Sequence, residues 1–256
     1  MTTSTDRIPT NLRTLLILEV LGKSDQPLTA TQINEHLDLP KQTVHRLCTT
    51  LEENGFISRR GKSRRYQVAR RLRELGVGLL HNSSDHIARR QILQEIASQT
   101  RETVNFVVPE NSGMKYLDRV ETDWAFRIQL PIGSNVPFHC TASGKCFLAS
   151  LPPKACKTMV ATLNLEEMTQ HTLTDPEKLL AELAQIRREG FSLDREEFME
   201  GMVALSVPVT DSDGRFVAAL AVHGPTQRMS IEETIGKKQD MFDAARKLRS
   251  ALMAAD

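Results

Sequence analysis

The sequence predicts a mixed α/β (α+β) protein of two domains, a small helical module followed by a larger domain of strands backed by helices. Three observations predict it. The chain has 256 residues, the length of two ordinary domains. Residues up to about 65 pattern as three helices and a hairpin, whereas those after about residue 100 alternate strands with helices. The charge is also divided. Residues 1–83 carry 13 Lys and Arg against 8 Asp and Glu, and the remainder carries 20 against 24. A basic leading third before a mildly acidic remainder is expected where one domain meets phosphate and the other does not.

The composition, 40% hydrophobic and 25% charged, permits ordinary packed cores. The start of the chain is polar and lacks the apolar core of a signal peptide. The most apolar stretch, Leu15 to Leu21, is broken by Glu19 and is far too short to span a bilayer. No CxxC pair occurs among the four cysteines. With no secretory segment, they read as reduced thiols of a cytoplasmic protein without membrane attachment.

The first helix is expected over Thr10–Gly22, with Leu12, Leu15, Leu16 and Leu18 as its apolar content. Gly22 to Pro27 breaks it. Thr29-Ala30-Thr31-Gln32 has capping-box spacing, so a second helix starts there with Ala30, Ile33 and Leu37 on one face. Asp38-Leu39 is a turn, and Pro40 suits the first position of a third helix running to Asn54. Val44, Leu47, Cys48 and Leu51 form its buried stripe, and Gly55 stops it. Phe56–Ser58 and Tyr66–Val68 flank a loop centred on Gly61, a hairpin that completes a winged helix-turn-helix over residues 8–68.

A linker helix, about Ala69–His81 with Leu72, Leu75, Leu79 and Leu80 on its apolar side, fills residues 69–84. The second domain, 85–253, opens with a helix from about His86 to Thr100 carrying Ile87, Ile92, Leu93 and Ile96. Strands are expected at Thr103–Val108, Met114–Val120, Ala125–Gln129, Val203–Thr210 and Arg215–His223, the last two joined by the turn Asp211–Gly214. Helices are expected at Ser143–Ser150, Pro153–Thr162, Asp175–Glu189 and Ile231–Met253.

With its apolar stripe buried, the third helix shows Lys41, Gln42, Thr43, His45, Arg46 and Thr49 on its other side. These side chains can reach base edges and phosphates of duplex DNA. The hairpin adds Arg59, Arg60, Lys62, Arg64 and Arg65, a tip suited to the DNA backbone or a minor groove. Thr29 at the second helix's start joins this candidate DNA-binding set.

The run Leu39 to Leu47, followed by Leu51 to Phe56, resembles the helix-turn-helix of the IclR family of bacterial transcription regulators. Gly133 to Lys145, Glu182 to Phe191, the group Asp194, Glu196, Glu197 and Gly201, then Asp213-Gly214 and Gly224-Pro225, are similar to that family's later motifs in order and spacing. The resemblance spans residues 8–253. It implies a GAF-like effector domain and a homodimer, often paired into tetramers; repression at an operator is the default expectation. It also implies a small carboxylate effector against Ile128, Val136, Ala142, Ser143, Asp194, Met202, Ala204, Ala221 and His223. Independently, Ala142-Ser143-Gly144 opens a helix whose first amides suit an anionic oxygen. Glyoxylate- and pyruvate-sensing members tend to carry cysteine in place of Ala204 and serines in place of Ala221 and His223. The effector expected here is therefore larger than glyoxylate, or aromatic, with His223 and Arg127 as candidate partners.

No catalytic residue, cofactor or metal is expected. Gly144-Lys145 is not a phosphate loop, because position 139 is His and position 146 is Cys. The alternative is a metal-binding or thiol enzyme with an accessory helix-turn-helix, since His139, Cys140 and Cys146 lie close in sequence. Their spacing matches no standard zinc pattern.

Overall fold

Local signals account for most of the leading unit. The computed structural model describes residues 8–24, 26–59, 63–82, 85–125, 128 and 130–253. Helix α1 (Thr10–Gly22) has the bounds its pattern predicts. It buries Ile17 and Leu21, however, and leaves Leu12 and Leu15 exposed. Helix α2 (Ala30–Glu35) starts at a complete capping box: the Thr29 hydroxyl accepts from the Gln32 amide at 3.2 Å, and Gln32 Oε1 accepts from the Thr29 amide at 3.0 Å. The Asn34 carboxamide then clips the turn, donating to the Leu39 carbonyl at 2.7 Å and accepting from its amide at 2.9 Å. Helix α3 (Lys41–Glu53) follows, with Pro40 as its N-cap rather than its first helical residue. Its buried stripe is the expected Val44, Leu47, Cys48 and Leu51. Gly55, at φ +75°, takes the left-handed conformation that ends the helix.

Strands β2 (Ile57–Arg59) and β3 (Arg65–Val68) form the hairpin. A third strand the pattern did not show, β1 (Leu28–Thr29), pairs with β3, giving the order β1-β3-β2. Helix α4 (Arg70–Asn82) follows, with Leu75 and Leu79 exposed. The loop centre Gly61, the residues Arg60, Lys62, Ser83 and Ser84, and the Leu80 side chain lie outside the described residues. By contact the chain divides into two compact units, Met1–Leu80 and His81–Asp256.

The second unit is built on a six-stranded antiparallel sheet. Helix α5 (Asp85–Thr100) leads into β4 (Thr103–Pro109) and β5 (Met114–Val120), close to the expected bounds. The strand expected at Ala125–Gln129 is corrected: neither Ala125 nor Ile128 is in a strand, and residues 126, 127 and 129 lie outside the described set. β5 instead pairs with β6 (Asn135–Val136). After α6 (Ala142–Ser150), α7 (Pro153–Val160) and α8 (Pro176–Glu189) comes β7 (Ser192–Arg195), also unforeseen. Strands β8 (Met202–Thr210) and β9 (Phe216–Pro225) join through the Asp211 turn, where Asp211 Oδ1 accepts from the Asp213 and Arg215 amides. The single closing helix is two, α9 (Ile231–Gly236) and α10 (Lys238–Met253). Gly236 is a weak point in any helix, and the Lys237 amine leaves the break to bond the Thr100 carbonyl at 3.2 Å.

The sheet order is β6-β5-β4-β9-β8-β7. Helices α5 and α10 pack on one face, burying Leu93, Ile96, Met241 and Leu248. Helices α6 to α8 cover the other, around Val107, Met114, Val136, Phe138, Leu148, Leu183 and Ala219. Gly144 lets α6 sit close, since a Cβ there would lie 2.4 Å from the Phe138 carbonyl oxygen. No helix among the described residues is long and apolar enough to cross a membrane.

Candidate nucleic-acid interface and ligand pocket

Burying one stripe of α3 turns its other residues outward. Lys41, Gln42, His45, Arg46 and Thr49 are exposed and Thr43 is half-buried. The Thr49 hydroxyl donates to the His45 carbonyl at 3.1 Å. No side chain caps the start of α3, so the amides of Lys41 and Gln42 point out of its first turn without an intrahelical acceptor.

The remaining sequence-predicted cations divide. Arg64 is exposed. Arg59 forms a fork on Glu52, Nε to Oε1 at 2.8 Å, and its guanidinium lies over the Tyr66 ring. This pairing holds the Glu52 carboxyl below its usual range. Arg65 donates to the Pro27 carbonyl at 3.0 Å and to Gln32 Oε1 at 3.1 Å, tying the wing to the capping box. The Thr29 hydroxyl is engaged in that same cap.

Ladder register gathers the pocket residues. Asp194 is paired with Ala204, Ala204 with His223, and His223 with Thr103; Ser206 is paired with Ala221, and Ala221 with Asn105. Paired residues and their i±2 neighbours share a face. Asp194, Met202, Ala204, Ala221 and His223 therefore stand together on the face that α6 covers. All five are buried, as are Ala142 and Ser143 at the start of α6. Val136 sits at the far edge of that face, in the core beside Met114 and Tyr116. Ile128 contributes its carbonyl, which accepts from Arg119 Nη2 at 2.6 Å. Arg127 lies outside the described residues.

Two titratable groups here are far from their ordinary behaviour. Asp194 is fully buried, and desolvation, reinforced by Glu197, pushes its carboxyl up to about 7. Its Oδ1 accepts from the Glu197 amide at 2.8 Å and the Phe198 amide at 3.3 Å, while among the described residues Oδ2 has no partner. Burial, and then the nearby Arg119 charge, push the His223 imidazole down to about 3, so it is neutral at any physiological pH. Its Nδ1 lies 3.1 Å from Asn105 Nδ2, and among the described residues its Nε2 has no partner.

Sequence reasoning missed Asn105, Arg119, Tyr116 and Lys145. Asn105 was legible as the one polar residue inside an apolar run, and Lys145 as a cation early in a short apolar helix. Lys145 is fully buried and donates to Glu182 at 2.6 Å and Glu197 at 2.5 Å, joining α6, α8 and the β7–β8 connection.

All four cysteines are buried free thiols. Desolvation raises Cys140 and Cys146 to about 12. His139 donates from Nε2 to the Glu166 carbonyl at 2.9 Å. Among the described residues no group of three His, Cys, Asp or Glu side chains could hold a metal ion.

Comparison with known proteins decides what this arrangement belongs to. Residues 12–61 match the IclR helix-turn-helix domain, and residues 80–250 match the bacterial transcriptional regulator IclR C-terminal domain. The chain belongs to the IclR family. It is 41% identical to "Probable transcriptional regulator SauR" of Cupriavidus necator, over 91% of this chain and 93% of the relative. It is 28% identical to the transcriptional repressor IclR of Escherichia coli, over 89% and 84%. An IclR homolog of Microbacterium hydrocarbonoxydans, solved in complex with 4-hydroxybenzoate, superposes with a TM-score of 0.59 at 24% identity, covering 95% of this chain and 99% of that one. This IclR-family protein is thus a transcriptional regulator whose first unit carries a DNA-binding helix-turn-helix.

Proposed function

We propose that this regulator is a binding protein without enzymatic activity, and that it represses transcription in the cytoplasm by occupying a pseudo-palindromic operator as a homodimer. Dimers can pair further into tetramers. The observation that carries the DNA reading is the fully buried stripe of α3, which leaves Gln42, His45 and Arg46 exposed beside an uncapped helix start. In this reading those three side chains and Thr43 address base edges. Lys41 and the amides of Lys41 and Gln42 take a phosphate. Arg64, with Arg60 and Lys62 of the wing tip, grips the backbone. Thr29, Arg59 and Arg65 act mainly by bracing α2, α3 and the hairpin. The exposed Leu12 and Leu15 on α1, with Leu75 and Leu79 on the linker helix α4, supply apolar surface for a second copy.

The GAF-like effector domain, residues 85–253, holds a small carboxylate on the α6 side of its sheet. The first-turn amides of Ala142 and Ser143 receive the anionic oxygen. Ile128, Met202, Ala204 and Ala221 supply apolar walls, and Asp194 and His223 supply the polar contacts. The methyls of Ala204 and Ala221 favour a ligand larger than glyoxylate, and the 4-hydroxybenzoate complex of the Microbacterium homolog is consistent with an aromatic acid. The ligand changes operator affinity only through its unequal affinity for the two states of the dimer.

The test is gel-shift titration of the full chain on duplex from its own promoter. Arg46→Ala should weaken specific binding about 10- to 100-fold, the worth of roughly 1–3 kcal/mol at one base-reading side chain, without altering the circular dichroism spectrum. Wild-type affinity should fall with salt, log K losing about 0.9 per phosphate contact per decade. Equal affinity for promoter and random duplex would overturn the reading.

A further inference from the structure

We propose that Arg119 and Asn105 set His223 as a hydrogen-bond donor to the effector, and that the effector is a small acid with a second acceptor group, a further carboxylate or an oxo oxygen, besides the carboxylate at α6. The assignment rests on the pocket reading above.

It follows from a chain of contacts in which each role is forced. Arg119 Nη1 lies 3.0 Å from Asn105 Oδ1. A guanidinium only donates, so that atom is the carboxamide oxygen and the other is the amide nitrogen. Asn105 Nδ2 therefore donates to His223 Nδ1, 3.1 Å away. A neutral imidazole has one N–H, so it is on Nε2. The ring stays neutral because burial and the Arg119 charge oppose a second proton. The Ile128 carbonyl lies near enough to the ring to favour its protonated form, which also suits an N–H on that side. Among the described residues Nε2 has no acceptor at good hydrogen-bond geometry, and the Ile128 carbonyl already accepts from Arg119 at 2.6 Å. Among the described residues His223 thus presents a buried donor without a well-placed acceptor, on the sheet face that α6 covers.

The neighbours of His223 on that face narrow the chemistry. Ala204, its partner on β8, and Ala221, two residues before it on β9, offer methyl groups, while the hydroxyl of Thr103, its partner on β4, accepts from the Thr122 amide at 3.4 Å. A ligand ending in a methyl leaves the N–H unmatched, and one ending in an ammonium meets a donor beside the Arg119 cation. Asp194 stands on the second strand over, across Ala204. Glu197, Lys145, Cys140 and Tyr116 are the ionisable groups that interact electrostatically with it. Its carboxyl carries a proton below about pH 7 and then donates as well, so it does not oppose a second anionic group.

Two measurements on the full chain test this. Long-range proton–nitrogen correlation spectra of histidine-labelled protein, with His223→Ala assigning the signal, should show the Nε2–H tautomer, unchanged between about pH 5.5 and pH 8. In Asn105→Leu the ring should become a mixture of tautomers or begin to titrate, a change that packing alone does not cause. An Nδ1–H tautomer, or an imidazolium in that range, in the wild type overturns the proposal. Calorimetry should then show malonate binding at least about tenfold more tightly than propionate, or phthalate than benzoate; tenfold corresponds to about 1.4 kcal/mol. His223→Ala and Asn105→Leu should erase that ratio and leave propionate or benzoate affinity in place. Equal affinity within both pairs in the wild type overturns the second-acceptor assignment and leaves the pocket standing. Failure of all four acids to bind overturns both.

Discussion

Asp194 should make the effector domain lose stability as pH rises through neutrality. Its carboxyl moves from 3.8 to about 7 on folding, chiefly by desolvation. The folded state therefore holds a proton that the unfolded chain releases. The stability linked to that proton is complete below pH 3.8 and is lost as pH rises through the folded value near 7. Each pH unit between the two values removes about 1.4 kcal/mol. Raising the pH from about 5 to about 7 should then remove roughly 2–3 kcal/mol, and no solvent discount applies to a side chain with no exposure. Asp194→Asn keeps the acceptor used by the Glu197 and Phe198 amides and cannot ionise. Its stability relative to wild type should grow by that same amount over the interval. The chain has a single tryptophan, Trp124, which lies in the second unit. Urea unfolding followed by its fluorescence reports that unit alone. A variant-minus-wild-type difference that stays flat from about pH 5 to about pH 7 would refute the burial argument for Asp194.

Other outcomes are expected from the same reasoning. Lys145→Met should destabilise the effector domain by about 3–5 kcal/mol, because Glu197 remains buried without its cation; the same fluorescence titration measures it, and a change under 1 kcal/mol would remove Lys145 from this role. Thr29→Ala should cost the helix-turn-helix about 1 kcal/mol by removing the α2 cap, seen as earlier loss of helical circular dichroism on heating. A thermally unchanged variant with weaker operator binding would instead return Thr29 to direct DNA contact.

How much was legible depended on the range of the interaction. The bounds of α1, the α2 capping box and the α3 stripe follow from residues within one or two turns of each other, and all three read correctly. The strands β1, β6 and β7 did not. They span two to four residues, too few for a period to register, and exist because distant partners such as Tyr66, Met114 and Ala204 present an open edge. Of the strand expected at Ala125–Gln129, the described residues Ala125 and Ile128 are not in a ladder, and the Ile128 carbonyl accepts from the Arg119 side chain, a long-range contact that local pattern does not show. On α1 the leucines dominated the count, yet packing selected Ile17 and Leu21.

By itself the sequence determined the class of protein: a helix-turn-helix with a donor-rich face, a wing, and a strand-and-helix domain behind them. Each depends on periodicity, caps and turn residues, which act locally. Tertiary structure alone decided which polar groups are stranded. That Asp194 keeps an oxygen unmatched among the described residues, that Lys145 is shared by two glutamates, and that Arg119 bonds Asn105 beside His223 are results of pairing across β7, β8, β9, β4 and β5. Desolvation and hydrogen-bond partnership are properties of a packed interior, and no order of residues along the chain states them.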